Sequence, residues 1–584
     1  MTDILSRPPA DAVRKSGHAV TFDDAERAFL ASLSEPPRDA ELFVALGRLH
    51  VQQATPERAI ERLDAALALA PDHADCLNER GIAALMLRDL EGAAHYFREA
   101  IRCSPGNPRP HCNLGNAMRD AGRREDAIPH FERALALAPD LLEAALSVAE
   151  LRNELGQAQD ALAGFERAAR LAPDDPRALL GRGRTLHALG RSSDAQNLFA
   201  QVLKQKPDIV PALFGLARSL GSELRFDEAL HLYRRALELD PRNHALLHNT
   251  AYVLTCLERY DEADEHLQHA IELKPEHALT NHLLGMSKLR RGDWRAGWAL
   301  YEHRIAFGTS GGYAPLAIPE WRGEPLDGKR IVLTREQGAG DQLQFVRYAA
   351  VLRRLGATVD FWASVELAPL LARAEGVRRA ITDMPRDGYD FFCPVMSVPH
   401  RLQNEAIPAV VPYLSADARL SGQWRDRIHQ AAGTRRKIGL VWAGNPAHKL
   451  DRLRSIPLDA LLPLADIPGL AWFSLQTGAA ASQLDACARR WPINRLETRL
   501  DSYDATAAAI ESLDLVISVD TSVAHLAGAL GRPVWIMLPA QADWRWMTGR
   551  TDSPWYPTAR LFRQYTLGDW SPVVDSICAA LAAL

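Results

Sequence analysis

The chain has 584 residues, 47% of them hydrophobic and 24% charged, with a formal net charge of −5. That balance belongs to a folded, water-exposed protein: it holds no run of about 18 apolar residues that would cross a membrane, and MTDILSRPPADAVRKSGHAV at the start lacks the apolar stretch of a secretory signal. Seven scattered cysteines, none in a Cys-x-x-Cys pair, predict reduced thiols in a cytoplasmic protein, and argue against a zinc site or a disulfide frame.

Self-similarity organises the first half. Pro recurs at 71, 105, 139, 173, 207, 241 and 275, and Ala at 59, 93, 127, 161, 195, 229 and 263, each in steps of 34 residues. A bulky register runs through Leu63, Phe97, Phe131, Phe165, Phe199, Tyr233 and Leu267, and a small one through Gly47, Gly81, Gly115, Ala149, Gly183, Ala217, Ala251 and Gly285. Small residues suit a close crossing of two helices, the bulky residue fills the gap, and Pro stops the second helix by withholding a backbone donor. Four registers in phase resemble the tetratricopeptide repeat. Pro37 and Ala25 extend the pattern backwards, so residues 1–39 read as an N-terminal segment with a degenerate cap, and 40–304 as the repeats. The last, altered unit contains GDWRAGWALYEHR, with Gly297 in place of Ala.

Repeats of this kind stack into an α-solenoid, a superhelix whose first helices line a concave groove. One groove register reads Arg48, Ile82, Asn116, Glu150, Arg184, Arg218 and Tyr252. Its polar members are candidates for holding a peptide backbone; mere solvation is the alternative for each. Residues 305–328, rich in Gly and Pro, read as a linker or bracing segment.

The pattern then changes to strands alternating with helices. RIVLTRE predicts a strand, QGAGD a turn, QLQFVRYAAVLRRLG one amphipathic helix, TVDFWAS a strand, VELAPLLARAEGV a helix, and AITD and YDFFCPV two more strands. A second series runs through KIGLVWAGNP, LAWFSLQTG, a helix near Tyr503–Leu513, DLVISVD, a small-residue helix, PVWIMLP and the C-terminal VVDSICAALAAL. Two α/β domains follow, at 329–430 and 431–584, each with a parallel sheet of Rossmann-like type, facing one another across a cleft. Residues 329–584 carry 29 basic and 25 acidic side chains, net +4, against net −9 for 1–328. That mild positive balance suits a small anionic ligand and is too weak for a nucleic-acid surface.

SVDTSVAHLAGALGRPVWIMLP places Asp520, Thr521 and Ser522 where a strand ends and a helix begins, a natural anion site. His525 lies one turn in. A simple cap and a core histidine are the alternative reading. Gly338-Ala-Gly340-Asp341 is a Gly-rich turn opening a helix, with Asp341 as a cap in the plainer reading.

DTSVAHLAGALGRPVWIMLP, with DWRW and DSPWYPTARLFRQ after it, resembles the C-terminal domain of bacterial GT-B glycosyltransferases related to the heptosyltransferases. REQGAGDQLQFVRYA and GLVWAGNPAHKLDRLRSIPL match two further blocks, and the resemblance spans about residues 290–584. Protein O-GlcNAc transferases and flagellin glycosyltransferases share this order of repeats and GT-B domains. The resemblance implies a GT-B fold and a metal-independent, inverting transfer from a nucleotide-sugar to Ser or Thr of a protein, with a flagellin as leading acceptor and no cofactor. It makes Asp341 the general base and His525 its companion in the catalytic pair. It places the donor against Gly338, Gly340, Asn445, Lys449, Arg452, Arg454, Gln476, Asp520, Thr521, Ser522, Val523, Asp543 and Trp544. Arg454 or its neighbours would neutralise the phosphate, and Asp543 and Trp544 would meet a ribose or base. The Asn ladder of the O-GlcNAc transferases is absent: that register reads Ala45, Glu79, Asn113, Ser147, Gly181, Gly215 and Asn249. A repeat scaffold with a non-catalytic GT-B module, or a transferase with a glycan or lipid-linked acceptor, remains open.

Overall fold

The computed structural model describes residues 39–307, 316–403, 406–448 and 451–584. The expected cap with Pro37 and Ala25 lies outside the described residues, as do residues 308–315 of the linker. The chain forms two units, divided between Leu239 and Asp240.

Among the described residues of the first unit, twelve helices form six antiparallel pairs, from Ala40–Gln52 with Pro56–Leu69 to Val210–Ser222 with Phe226–Leu239. Their starts are set locally. Asp39, Asp89, Asn107 and Asp175 each accept a backbone N–H of the first turn, as N-cap residues do. The Ala and bulky registers are buried, Ala93 and Phe97 completely. A Cβ built on Gly81 would lie 2.5 Å from the Phe97 ring, which is why that crossing demands glycine. The absent Asn ladder has the same cause at two positions: any side chain at Gly181 would overlap the Phe165 ring, and one at Gly215 would come within 2.5 Å of Phe199.

The second unit begins with two more pairs in the same register, His244–Cys256 with Tyr260–Leu273 and Ala278–Arg290 with Trp294–Tyr301. Two parallel sheets follow. The first comprises β1 (Arg330–Thr334), β2 (Thr358–Trp362), β3 (Val377–Ile381) and β4 (Phe391–Pro394), in the order β3-β2-β1-β4. The second comprises β5 (Arg436–Val441), β6 (Leu470–Ser474), β7 (Asn494–Arg495), β8 (Leu515–Val519), β9 (Val534–Leu538) and β10 (Ala559–Arg563), in the order β10-β9-β8-β5-β6-β7. The fold is thus a helical solenoid followed by an α/β region with two parallel sheets.

Several expectations are corrected. The single helix after β1 is two, Ala339–Phe345 and Tyr348–Arg354. At the junction Arg347 is buried and donates to the Trp555 carbonyl (2.7 Å) and the Tyr413 hydroxyl (2.8 Å). The long helix after β2 shrinks to Ala368–Leu371. The helix Ala418–Ala432 was not anticipated; Ser421 and the Ala416 N–H both bond Glu511, which ties this stretch to the second sheet's helices. Of the two readings of 305–328, linker or bracing segment, the described part fits the brace: Trp321 N–H donates to the Phe392 carbonyl (2.8 Å) and Phe392 N–H to the Pro319 carbonyl (2.9 Å).

The last repeat is welded to the sheets by aromatic packing. Trp298 stands perpendicular to Trp544 at 5.3 Å and meets Phe345 at 5.9 Å. Such edge-to-face pairs add to the hydrophobic gain of burying large rings. A boundary at 304/305 would cut through this cluster.

Candidate functional site

Strand order locates the site. In the second sheet the chain runs outward from β5 to β7, then returns to place β8 on the other side of β5. In the first sheet β1 lies between β2 and β4 in the same way. Crevices at such switch points, at the carboxyl ends of strands, are where α/β sheets bind ligands. A cavity of about 1210 Å³ opens there. Its wall is built from residues at or after the ends of β1 (337–341), β5 (441, 443–446, 448, 451 and 454), β6 (475–480 and 483), β8 (520–523 and 525) and β9 (543 and 545), with Tyr503 beside them.

The helix Ser522–Ala529 points its N-terminus into this cavity. Its N-cap residue, Thr521, makes no side-chain cap; the hydroxyl instead meets Ser518 Oγ at 3.0 Å. Thr521, Ser522 and Val523 line the cavity, and the Tyr503 hydroxyl donates to Ser522 Oγ (3.1 Å). An uncapped helix start offers N–H donors and the positive end of the dipole. Arg454 reaches the same rim: it donates to the Asp520 carbonyl (3.0 Å) and pairs with Asp451 (3.1 Å). Gly444 admits it, since a Cβ there would stand 2.7 Å from the guanidinium. Asn445 lines the cavity and accepts the Ala447 N–H (3.0 Å).

His525 is buried and stacked on Trp546 at 5.2 Å. Its Nδ1 shares a 2.9 Å hydrogen bond with the Tyr556 hydroxyl, and its Nε2 lies 4.0 Å from Asp520. Burial, helped by the charge of Arg545, pushes its pKa down to about 3, so the ring is neutral at physiological pH. Burial and the charge of Asp543 push the Asp520 carboxyl up to about 6. Burial also raises Asp341, against the opposing charge of Arg545. For Asp543 the balance reverses: burial would raise it, but Arg545 holds it below the usual range.

Asp341 accepts the Gly338 N–H (2.8 Å), so it does cap its helix, and it also pairs with Arg545. Gly340 presses on His525: a Cβ there would come within 2.9 Å of Cδ2. Gly338 and Gly340 both line the cavity.

The structure brings together Gly338, Gly340, Asp341, Asn445, Arg454, Gln476, Asp520, Thr521, Ser522, Val523, His525 and Asp543. Two expected donor residues fall elsewhere among the described residues. Trp544 is 1% exposed inside the aromatic cluster, so it cannot support a ribose or base. Arg452 is exposed and not part of the cavity wall. Lys449 lies outside the described residues. Gln476 is on the wall, but its carbonyl oxygen accepts the N–H groups of Trp442 (3.1 Å) and Ala443 (2.8 Å) and its amide donates to Thr477 (3.0 Å); it fixes two strand ends. Arg545 and Tyr503 were missed. Arg545 was visible only as the middle of the quoted DWRW.

The proposed groove register sits on the first helix of each pair. Arg48 is paired with buried Glu79 (3.2 Å), and Arg218 lies 5.9 Å from the Phe214 ring, with burial lowering its pKa. Arg184 is exposed, while Asn116 and Glu150 are half-buried. Tyr252 is 45% exposed and belongs to the second unit. No helix among the described residues is long and apolar enough to cross a membrane.

Known proteins resemble this chain in part. Models of the tetratricopeptide repeat match residues 44–108, 108–141, 152–220 and 232–265. Protein FlbA of Caulobacter vibrioides is 28% identical over 314 residues, 49% of this chain and 52% of that protein. An uncharacterized protein, y4yS, of Sinorhizobium fredii is 33% identical over 111 residues, 18% of this chain and 59% of its own. The chain thus spans about half the length of the curated relatives it matches. Among solved structures, a tetratricopeptide repeat protein of Parabacteroides merdae is 21% identical, covers 41% of this chain and 94% of its own, and has a TM-score of 0.37. YrrB, described as "a TPR protein with an unusual peptide-binding site", is 23% identical, covers 32% and 97%, and has a TM-score of 0.28. Tetratricopeptide repeats build the N-terminal part of this chain.

Proposed function

We propose that the chain is a cytoplasmic glycosyltransferase of GT-B type, moving a sugar from a nucleotide-sugar to a Ser or Thr hydroxyl of a protein recruited by the repeats, with a flagellin as leading acceptor. The observation that carries this reading is the convergence in one cavity of an uncapped helix start at Thr521–Val523, Arg454 and the carboxylate of Asp341. Helix N-termini and guanidinium groups suit a phosphate, and about 1210 Å³ accommodates a nucleotide-sugar.

In the proposed step the acceptor oxygen attacks the anomeric carbon and its proton passes to the Asp341 carboxylate. The bond from that carbon to the phosphate oxygen breaks, and the electron pair leaves with the nucleotide. The helix N-terminus and Arg454 stabilise the growing negative charge, the role a cation would otherwise take. Attack opposite the leaving group inverts the anomeric centre. His525, neutral and buried, acts as a packing partner and fixed dipole in this scheme, not as a cation.

Incubating the full-length chain with nucleotide-sugars and candidate acceptors, read by intact mass, tests the proposal. A mass gain of one sugar on the acceptor, absent with Asp341→Asn, supports it. Nucleotide binding without sugar transfer to any acceptor class would favour the scaffold reading, and transfer to a glycan but no protein would favour the saccharide acceptor.

A further inference from the structure

Every nitrogen of the Arg545 guanidinium is engaged. Nε donates to Gln344 Oε1 (2.7 Å), Nη1 to Asp543 Oδ1 (2.9 Å) and Nη2 to Asp341 Oδ1. The group rests on Trp544, 4.4 Å from the ring centroid, and the side chain is 7% exposed. Asp341 and Gln344 stand on the helix after β1, in the first sheet's half of the cavity. Asp543 and Arg545 follow β9, in the second sheet's half. The other Asp341 oxygen accepts the Gly338 N–H. The carboxylate is therefore gripped from two directions while its residue still lines the cavity.

We infer that Arg545 is a positioning residue of this site, setting the direction in which Asp341 presents its carboxylate to the acceptor hydroxyl. The inference rests on the glycosyltransferase reading above. A planar fork lying on an aromatic ring holds three acceptors at fixed angles; a lysine ammonium is a single charge centre and cannot reproduce that geometry. The guanidinium charge also favours the ionised carboxylate that a proton acceptor requires. Asp543 keeps the fork in place from the opposite side, so Arg545 acts through Asp341 and its own placement depends on the second sheet.

Arg545→Lys and Arg545→Gln in the full-length chain test this, beside wild type and Asp341→Asn. Nucleotide affinity is expected to stay within about threefold of wild type, while kcat falls by about tenfold or more with little change in donor KM. The acid limb of the kcat profile should move to higher pH. So should the midpoint of carbodiimide labelling of the Asp341 peptide, followed by mass spectrometry. In the Asp341→Asn background, Arg545→Lys should cause no further loss, because the two residues act as one unit. An unchanged kcat overturns the role. A parallel loss of nucleotide affinity overturns it too, by making Arg545 a donor ligand. Were the wild-type chain to transfer no sugar, the functional reading would fail by itself. The labelling midpoint would still decide whether Arg545 governs the Asp341 carboxyl, and an unmoved midpoint overturns that.

Discussion

Gly340 lies against the imidazole of His525, so close that a Cβ at position 340 would stand 2.9 Å from Cδ2. The ring cannot swing aside, since Trp546 stacks on it and Tyr556 holds Nδ1. One contact thus joins the helix after β1 to the helix Ser522–Ala529 that follows β8. Gly340→Ala should destabilise the second unit by about 1–3 kcal/mol, the usual cost of overpacking, visible as a lowered thermal midpoint. An unchanged midpoint would mean the two helices can part without cost.

How far the sequence discloses this arrangement depends on the range of the interactions. The repeats were readable because each 34-residue unit repeats the same local demand: Ala59 and its counterparts are fully buried, and so is Phe97 with its counterparts. The strand ends at Val519 and Val441 were readable because a strand, a polar turn and a helix follow one another along the chain. Arg545 was not. Its meaning comes from Asp341 and Gln344, some two hundred residues away in sequence. Trp544 shows the converse error: an aromatic residue just past a strand suits a base platform or a core equally, and only the perpendicular packing on Trp298 decides. Gln476 likewise reads in sequence as a free side chain at a strand end, whereas its amide ties the ends of β5 and β6 together.

Stability should respond to pH through two buried groups of opposite sign. The His525 pKa is depressed from 6.5 to about 3, so its contribution is complete above pH 6.5 and is lost as pH falls toward 3. The Asp520 pKa is raised from 3.8 to about 6, so its contribution is complete below pH 3.8 and is lost as pH rises through 6. Urea midpoints measured from pH 4 to 7 should therefore rise less steeply with pH for His525→Gln than for wild type, and more steeply for Asp520→Asn. Parallel curves for all three proteins would contradict these environments.

Truncation should reveal where the second unit begins. The loop carrying Asp543 and Arg545 is held from the repeat side: Gln541 donates to the Cys256 carbonyl (3.1 Å) and Arg290 to the Ala542 carbonyl (3.0 Å). A chain starting at residue 240 is expected to fold and to bind nucleotide like the full-length protein, while losing most protein modification. One starting at 305 also loses Trp298 and Tyr301 from the aromatic cluster, and should be unfolded or unable to bind. Circular dichroism with calorimetry on both fragments distinguishes these outcomes; equal behaviour of the two would refute the brace.

Arg454 and the helix start should act on the phosphate, not on the fold. Arg454→Ala removes a partly exposed cation that hydrogen-bonds the Asp520 carbonyl and pairs with Asp451. Its thermal midpoint should stay near that of wild type, while nucleotide affinity falls by about 1.5–3 kcal/mol, the worth of a hydrogen bond to a charged group. A large loss of stability with unaltered affinity would reassign Arg454 to structure.

The most direct test of the central claim is calorimetric titration of the full-length chain with CMP, UDP, GDP and ADP, against wild type and Arg454→Ala. The account predicts that one of the four binds in the micromolar range and weakens in the variant, which would also name the donor's base. Binding by none of them, with the chain folded and a candidate acceptor present, would contradict a nucleotide-sugar site in this cavity.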